Sequence, residues 1–266
     1  MPELYTERLP RELLRDRIAC VWTGRASGDV RGVLPDGCID IVWSPGRGLR
    51  VAGPDTASRP AAVPAGTTLI GVRFMPGVAA PILGAPISSL TDLEIPLSDV
   101  WPRNPVNRLQ GCLDEARSPA ESVCALEDAI AERLCAAPDP DPMARVMIAA
   151  ITRIVAIGTE SCSFPAISER QLRRRFRASV GYGPKTFERV ARFRHFLRLA
   201  NAAPNEGGSA RSLARIAAAA GYADQSHLNR ECMRFAGRTP GQIVRELQPM
   251  SDLFKTLDFH TATIAP

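Results

Sequence analysis

The stretch 212–240, SLARIAAAAGYADQSHLNRECMRFAGRTP, restricts the possible folds more than any other part of the chain. Leu213, Ile216, Ala217 and Ala220 fall on one face of the α-helical period of about 3.6 residues, and Gly221 supplies the stop. Asp224 then opens a second helix, its carboxylate placed to accept from the exposed N–H groups of the first turn. Gly237 ends that helix about three turns later. Leu228, Cys232 and Phe235 recur at i, i+4 and i+7 and face inward, which puts Gln225, Ser226, His227, Asn229 and Arg230 outward or to the side. Solvated helix faces are normally dense in Glu and Lys. This one carries amide, hydroxyl, imidazole and guanidinium groups, the types that hydrogen-bond base edges in a DNA major groove. Two short helices joined by a tight turn, the second with such a face, have the geometry of a helix-turn-helix.

The segment GYADQSHLNRECMRFAGRTP resembles the second helix-turn-helix of the AraC-type bacterial transcription regulators. In that pattern a glycine and an aromatic precede a capping residue, a polar recognition face and Gly-x-x-Pro. SERQLRRRFRASVGYGPKTF, residues 168–187, is similar to the family's first recognition helix, so the resemblance covers roughly the last hundred residues. It implies double-stranded DNA and RNA polymerase as partners. In the first motif Ser168 is the cap, Leu172, Phe176 and Val180 face inward, and Arg170, Arg173, Arg174 and Arg177 line the outside before Gly181. Related sequences place a scaffold helix between a helix-ending glycine, here Gly158, and the capping serine. This chain has only TESCSFPAI there, nine residues including Pro165, too few for a three-turn helix. The first motif is therefore expected to be truncated and to supply phosphate contacts through its arginines, while the second reads most of the bases. Arg238, near the end of the second helix, is expected on the phosphate backbone.

Charge divides the chain in the same place. Residues 168–248 hold 16 basic against 6 acidic residues, net +10, whereas the rest hold 17 against 22, net −5, within an overall +5. Only the first group is suited to a polyanion. All but two of the basic residues, Lys185 and Lys255, are arginine, a bias that a GC-rich genome also produces.

The remaining composition narrows the classes. No apolar run approaches the roughly 18 residues that suggest a membrane span, and the N-terminal MPELYTERLPRELLRDR lacks a signal-peptide core, so a cytoplasmic protein with no membrane partner is expected. The seven cysteines, at 20, 38, 112, 124, 135, 162 and 232, are odd in number and include no C-x-x-C, which suits reduced thiols. The three histidines, His195, His227 and His260, have no metal-ligand spacing among themselves or with a cysteine pair, so no metal or other cofactor is expected.

Along the chain, residues 1–105 are expected to be β-rich. In LPDGCIDIVW a Pro-Asp-Gly turn precedes Ile39, Ile41 and Trp43 on one strand face, and a strand over 67–74 puts Ile70, Val72 and Phe74 on one side and Arg73 on the other. SPGRG is expected to be a turn and 53–66 a surface loop, followed by a short helix ending at Gly84. LPDGCIDIVW and LIGVRFMPG also resemble a sensor-type domain of unknown function that often precedes this helix-turn-helix module. Ser118-Pro119-Ala120-Glu121 is a capping box opening a helix to about residue 136, with Val123, Leu126, Ile130 and Leu134 inward. After the stiff linker AAPDPDP, Met143, Val146, Met147, Ala150, Ile151 and Ile154 form the apolar stripe of the next helix. A connecting helix over 184–200, about 25 Å long, would hold two recognition helices near the roughly 34 Å spacing of successive major grooves.

The expected fold class is therefore α+β. A small β-rich barrel or sandwich over 1–105, for sensing or dimerisation, leads to a helical connector and linker over 106–141. An all-α domain with two helix-turn-helix motifs over 142–248 and a tail over 249–266 follow. No Gly-rich phosphate loop or Ser/His/Asp arrangement is present. Cys38 is expected to be a small buried thiol, and Asp36 and Asp40 structural or solvated. The expected function is a non-enzymatic, sequence-specific transcription regulator, controlled by a small-molecule effector or by homodimerisation. The alternative is a DNA-directed repair or modifying enzyme with its chemistry in the N-terminal domain.

Overall fold

The computed structural model describes residues 5–26, 32–59, 63–157, 168–202 and 210–247. Strands β1 (Tyr5–Arg8), β2 (Ile18–Arg25), β3 (Ile39–Ser44), β4 (Gly48–Ala52), β5 (Thr68–Phe74) and β6 (Glu94–Pro96) form one antiparallel sheet in the order β1-β2-β5-β3-β4-β6. Period-two alternation decides its faces. Ile39, Ile41 and Trp43 of β3 and Ile70, Val72 and Phe74 of β5 lie on the buried side as the alternation predicts, joined by Leu49 and Val51 of β4. The register places Cys20 and Asp40 beside Arg73, and Trp22 beside Glu7 and Gly71, so these residues share the opposite face.

Three helices cover the buried side. They are α1 (Ala79–Leu83), which stops at a left-handed Gly84, α2 (Arg103–Glu115) and α3 (Pro119–Ala136). Val106, Leu109 and Leu113 of α2 and Val123, Leu126 and Ile130 of α3 join the sheet residues in one core. The Ser118 hydroxyl accepts from the Glu121 amide at 3.3 Å, so the hydroxyl half of the expected cap forms, while the Glu121 carboxylate reaches one residue further back and accepts from the Arg117 amide at 2.8 Å rather than from that of Ser118.

The C-terminal part is helical, with α4 (Pro142–Ile157), α5 (Glu169–Val180), α6 (Pro184–Ala202), α7 (Ala210–Ala219), α8 (Gln225–Ala236) and α9 (Pro240–Leu247). Its hub is α6, which packs against each of the other five. Asp141, the last acid of the Pro/Asp linker, caps α4 by accepting from the amides of Met143 at 2.9 Å and Ala144 at 3.1 Å, and pairs with Arg175 of α5 at 2.6 Å. Burial raises its pKa, but Arg175 and the two amides outweigh that and hold it below the usual carboxylate value. One expectation for α4 is corrected. Val146 is 55% exposed, because the packed stripe runs through Ala144, Met147 and Ile151, one position round the helix.

Candidate nucleic-acid interface

The second motif is built as its spacing dictates. Leu213, Ile216 and Ala217 of α7 and Ala220 just after it are buried, and Gly221 turns the chain at φ +78°. Asp224 caps α8 by accepting from the His227 amide at 2.6 Å, and Gly237 ends that helix in the left-handed region at φ +65°. Leu228, Cys232 and Phe235 are at most 1% exposed. Burial pushes the Cys232 thiol up to about 12, so it behaves as an apolar packing group.

On the other side of α8, at about 100° per residue, Gln225, Asn229, Met233, Ser226, Arg230 and Arg234 occupy a continuous arc of about 180°. All six are exposed. The helix's own carboxylate, Glu231, is buried and held by Arg189 of α6 at 2.9 Å. The exposed arc therefore carries hydrogen-bonding groups and two arginines with no acid to repel a phosphate. His227 lies at the border, half-buried, with its ring edge-on to Tyr222 at a centroid distance of 5.2 Å. The packing that holds it there leaves it less of the open face than Gln225, Ser226, Asn229 and Arg230 have. Arg234 and Met233 were not among the expected contacts. The i, i+4 spacing of Arg234 from Arg230 and of Met233 from Asn229 is the sequence signal that identifies them.

On α5, Leu172, Phe176 and Val180 are buried, and Arg170, Arg173, Arg174 and Arg177 are exposed. Ser168 caps the helix by accepting from the Gln171 amide at 3.4 Å. Arg170, Arg174 and Arg177 project into one sector. Arg173 instead pairs with Glu169 one turn back, at 2.6 Å. An exposed pair of this kind is worth little, so the guanidinium is easily exchanged onto a phosphate. The expected lack of a scaffold helix before Ser168 concerns 159–167, which lie outside the described residues. Arg238 is half-buried and donates to the Ala236 carbonyl at 3.3 Å. Just beyond it, Thr239 and Gln242 cap α9 reciprocally: the Thr239 amide donates to Gln242 Oε1 at 2.8 Å, and the Gln242 amide donates to Thr239 Oγ1 at 3.4 Å.

Residues 163–246, which include α5 to α8 and nearly all of α9, match the family described as a helix-turn-helix domain. The C-terminal part of this chain is an AraC-type helix-turn-helix domain. Residues 6–96 match a separate family, a domain of unknown function (DUF6597). The AraC-type domain is a DNA-binding module, and the arcs on α8 and α5 are its polar and basic exposed faces. No curated protein matches the chain. Among solved structures, apo ToxT from Vibrio cholerae is similar over 85% of this chain and 97% of its own, at 9% identity and a TM-score of 0.40. Among the described residues no helix is long and apolar enough to cross a membrane.

The N-terminal groups that could be imagined as reactive are engaged otherwise. Cys38 is 5% exposed, and burial pushes its thiol well above its ordinary value, which disfavours the nucleophilic thiolate. Burial also raises Asp40, against the opposing pull of Arg73, which grips both its oxygens at 3.0 Å. Burial brings Asp55 up to about 6, again against its arginine partner, Arg59.

Proposed function

We propose that this chain is a sequence-specific DNA-binding transcription regulator of the AraC type. In this reading Gln225, Ser226, Asn229 and Arg230 of α8 meet base edges, with His227 at the margin. Arg170, Arg173, Arg174, Arg177 and Arg238 meet phosphates. The observation that carries the reading is the acid-free exposed arc of α8, combined with the removal of Glu231 into a buried pair with Arg189. The N-terminal domain is the controlling part, through a small-molecule effector, through pairing with a second copy, or both, and RNA polymerase is the protein partner at the promoter. Residues 1–105 form that domain and 142–248 the DNA-binding domain. Helices α2 and α3 of the 106–141 connector move with the sheet because they share its core.

Replacing side chains on the α8 arc tests the assignment. Arg230→Ala and Gln225→Ala are each expected to remove about 1 to 3 kcal/mol of discrimination at one base position, because both can make bidentate base contacts. Arg238→Ala should weaken binding to all sequences alike. The measurement is competition binding against a set of single-base variants of the site. If Arg230→Ala lowers affinity uniformly and leaves base preference unchanged, the recognition face is wrongly assigned.

A further inference from the structure

The joint between α5 and α6, Gly181-Tyr182-Gly183, is gripped by the N-terminal domain from two sides. On one side the 3-10 turn Ile87–Ser89 packs against α5, and α1 packs there too. Gly181 has φ +102°, and a methyl group on it would stand 2.6 Å from Pro54 Cγ and 2.8 Å from Thr91 Oγ1. Glycine is needed here for both the conformation and the approach. The Thr91 hydroxyl donates to the Gly181 carbonyl at 2.9 Å. Gly77, after β5, lies against Ile148 of α4 and near Val180 at the end of α5.

On the other side stands the Pro35-Asp36-Gly37 turn. Gly37 has φ +79°, and a methyl group on it would sit 3.2 Å from the Phe187 ring and 3.3 Å from the Tyr182 hydroxyl oxygen. Leu34, just before the turn, packs into the C-terminal core. Arg194 of α6 donates to the Asp36 carbonyl oxygen at 3.0 Å. The Asp36 carboxylate accepts from the Cys38 amide at 2.8 Å and lies 3.5 Å from Arg73 Nε on β5. A continuous polar path thus runs from the sheet, through the turn, to the connecting helix.

These contacts bear on the joint between α5 and α6 and on α6 itself, at Phe187 and Arg194. With glycine at both its ends, the joint has little stiffness of its own. Helix α5 is braced by α4, α6 and the Arg175–Asp141 pair and, in addition, by the N-terminal domain, whereas the second recognition helix, α8, is held by α6, α7, α9 and the Glu231–Arg189 pair. We propose that the N-terminal domain positions the first recognition helix: the Asp36-Gly37 turn and the Ile87–Thr91 segment set α5 on the DNA relative to α8. The inference rests on the DNA-binding reading above and adds to it a route by which the N-terminal domain controls one half of the site. Asp36, Gly37, Ile87 and Thr91 are positioning residues that need not touch DNA.

The test uses the full chain and the duplex that the wild-type protein selects from a random pool. Gly37→Ala combined with Thr91→Val loosens both grips, and Thr91→Val alone removes the hydroxyl's bond to the Gly181 carbonyl, with its longer contact to the Ile87 carbonyl at 3.5 Å, and changes the shape little. Ile41→Val, inside the sheet core, is the control for lost stability alone. Hydroxyl-radical footprints and the salt dependence of binding are read together, with thermal melting to match the variants. The double variant is expected to keep protection of the half contacted by α8 and to lose that of the neighbouring half. Its salt slope should be shallower by about 2 and its affinity roughly ten- to a hundredfold lower, the signature of about two lost phosphate contacts. Thr91→Val should move in the same direction by less, and Ile41→Val should leave both halves protected. If the double variant is too poorly folded to footprint, Thr91→Val decides. Unchanged footprint and slope, or proportional weakening of both halves, would overturn the positioning role while leaving the DNA-binding reading intact. Failure of the wild-type chain to bind any duplex would overturn that reading, and this inference with it.

Discussion

Raising the salt concentration from about 50 to about 200 mM is expected to lower the affinity of the full chain for duplex DNA about a thousandfold. The expectation follows from where the charge sits. Net +10 is concentrated in 168–248, where Arg170, Arg173, Arg174 and Arg177 of α5 and Arg234 of α8 are exposed, with no competing acid on the α8 arc. Neutralising about six phosphates gives a slope of log K against log salt near −5, since each contact releases close to one condensed counterion. The rest of the chain carries net −5 and resists non-specific attachment to the polyanion elsewhere. Fluorescence anisotropy over a salt series measures the slope directly. An affinity that changes by less than about tenfold over that range would mean that the basic faces do not meet phosphates.

The largest stability effect is expected at Phe193. Its side chain is fully buried in α6, with ring centroids 6.2 Å from Phe196 and 5.2 Å from Phe235 of α8, so it joins the connecting helix to the second recognition helix. Phe193→Ala removes most of a buried aromatic side chain and leaves a cavity among rigid neighbours, at about 3 to 5 kcal/mol. That is a large share of the roughly 5 to 15 kcal/mol by which domains are stable. Phe193→Leu keeps more of the volume and should lose clearly less. Urea unfolding followed by fluorescence compares them, and a Phe193→Ala loss below about 1 kcal/mol would show that α6 is not the hub of this core.

The C-terminal helices are legible in the sequence because each recognition helix carries its own cap and stop. Ser168 with Gly181 and Asp224 with Gly237 bound α5 and α8, and the apolar spacing between them fixes which side is buried. The exposed faces follow by subtraction. In the sheet, β3 and β5 are legible through strict alternation. Strand β2 is not, because a register shift between Ile18 and Cys20 moves Ile18 and Val21 onto the same core with the wrong spacing for a regular strand. Strand β4 is short and begins at Gly48, and α2 starts after Pro102 with no side-chain cap. The Thr239–Gln242 cap that opens α9 is, by contrast, a usable signal in TPGQ. What the sequence hides is docking. Asp36 and Arg194 lie 158 residues apart, and a Pro-Asp-Gly turn has the same local signature whether it faces water or a helix. The border position of His227 is hidden in the same way, since it depends on where the Tyr222 ring packs.

The central claim is that α8 reads a DNA sequence, and selection of bound duplexes from a random pool by the full chain tests it most directly. The predicted result is an enriched site with one well-defined half, blurred at single positions by Arg230→Ala and Gln225→Ala, and a weakly defined neighbour about one helical turn, roughly 34 Å, away. A bound pool with no motif enriched over the input would contradict it.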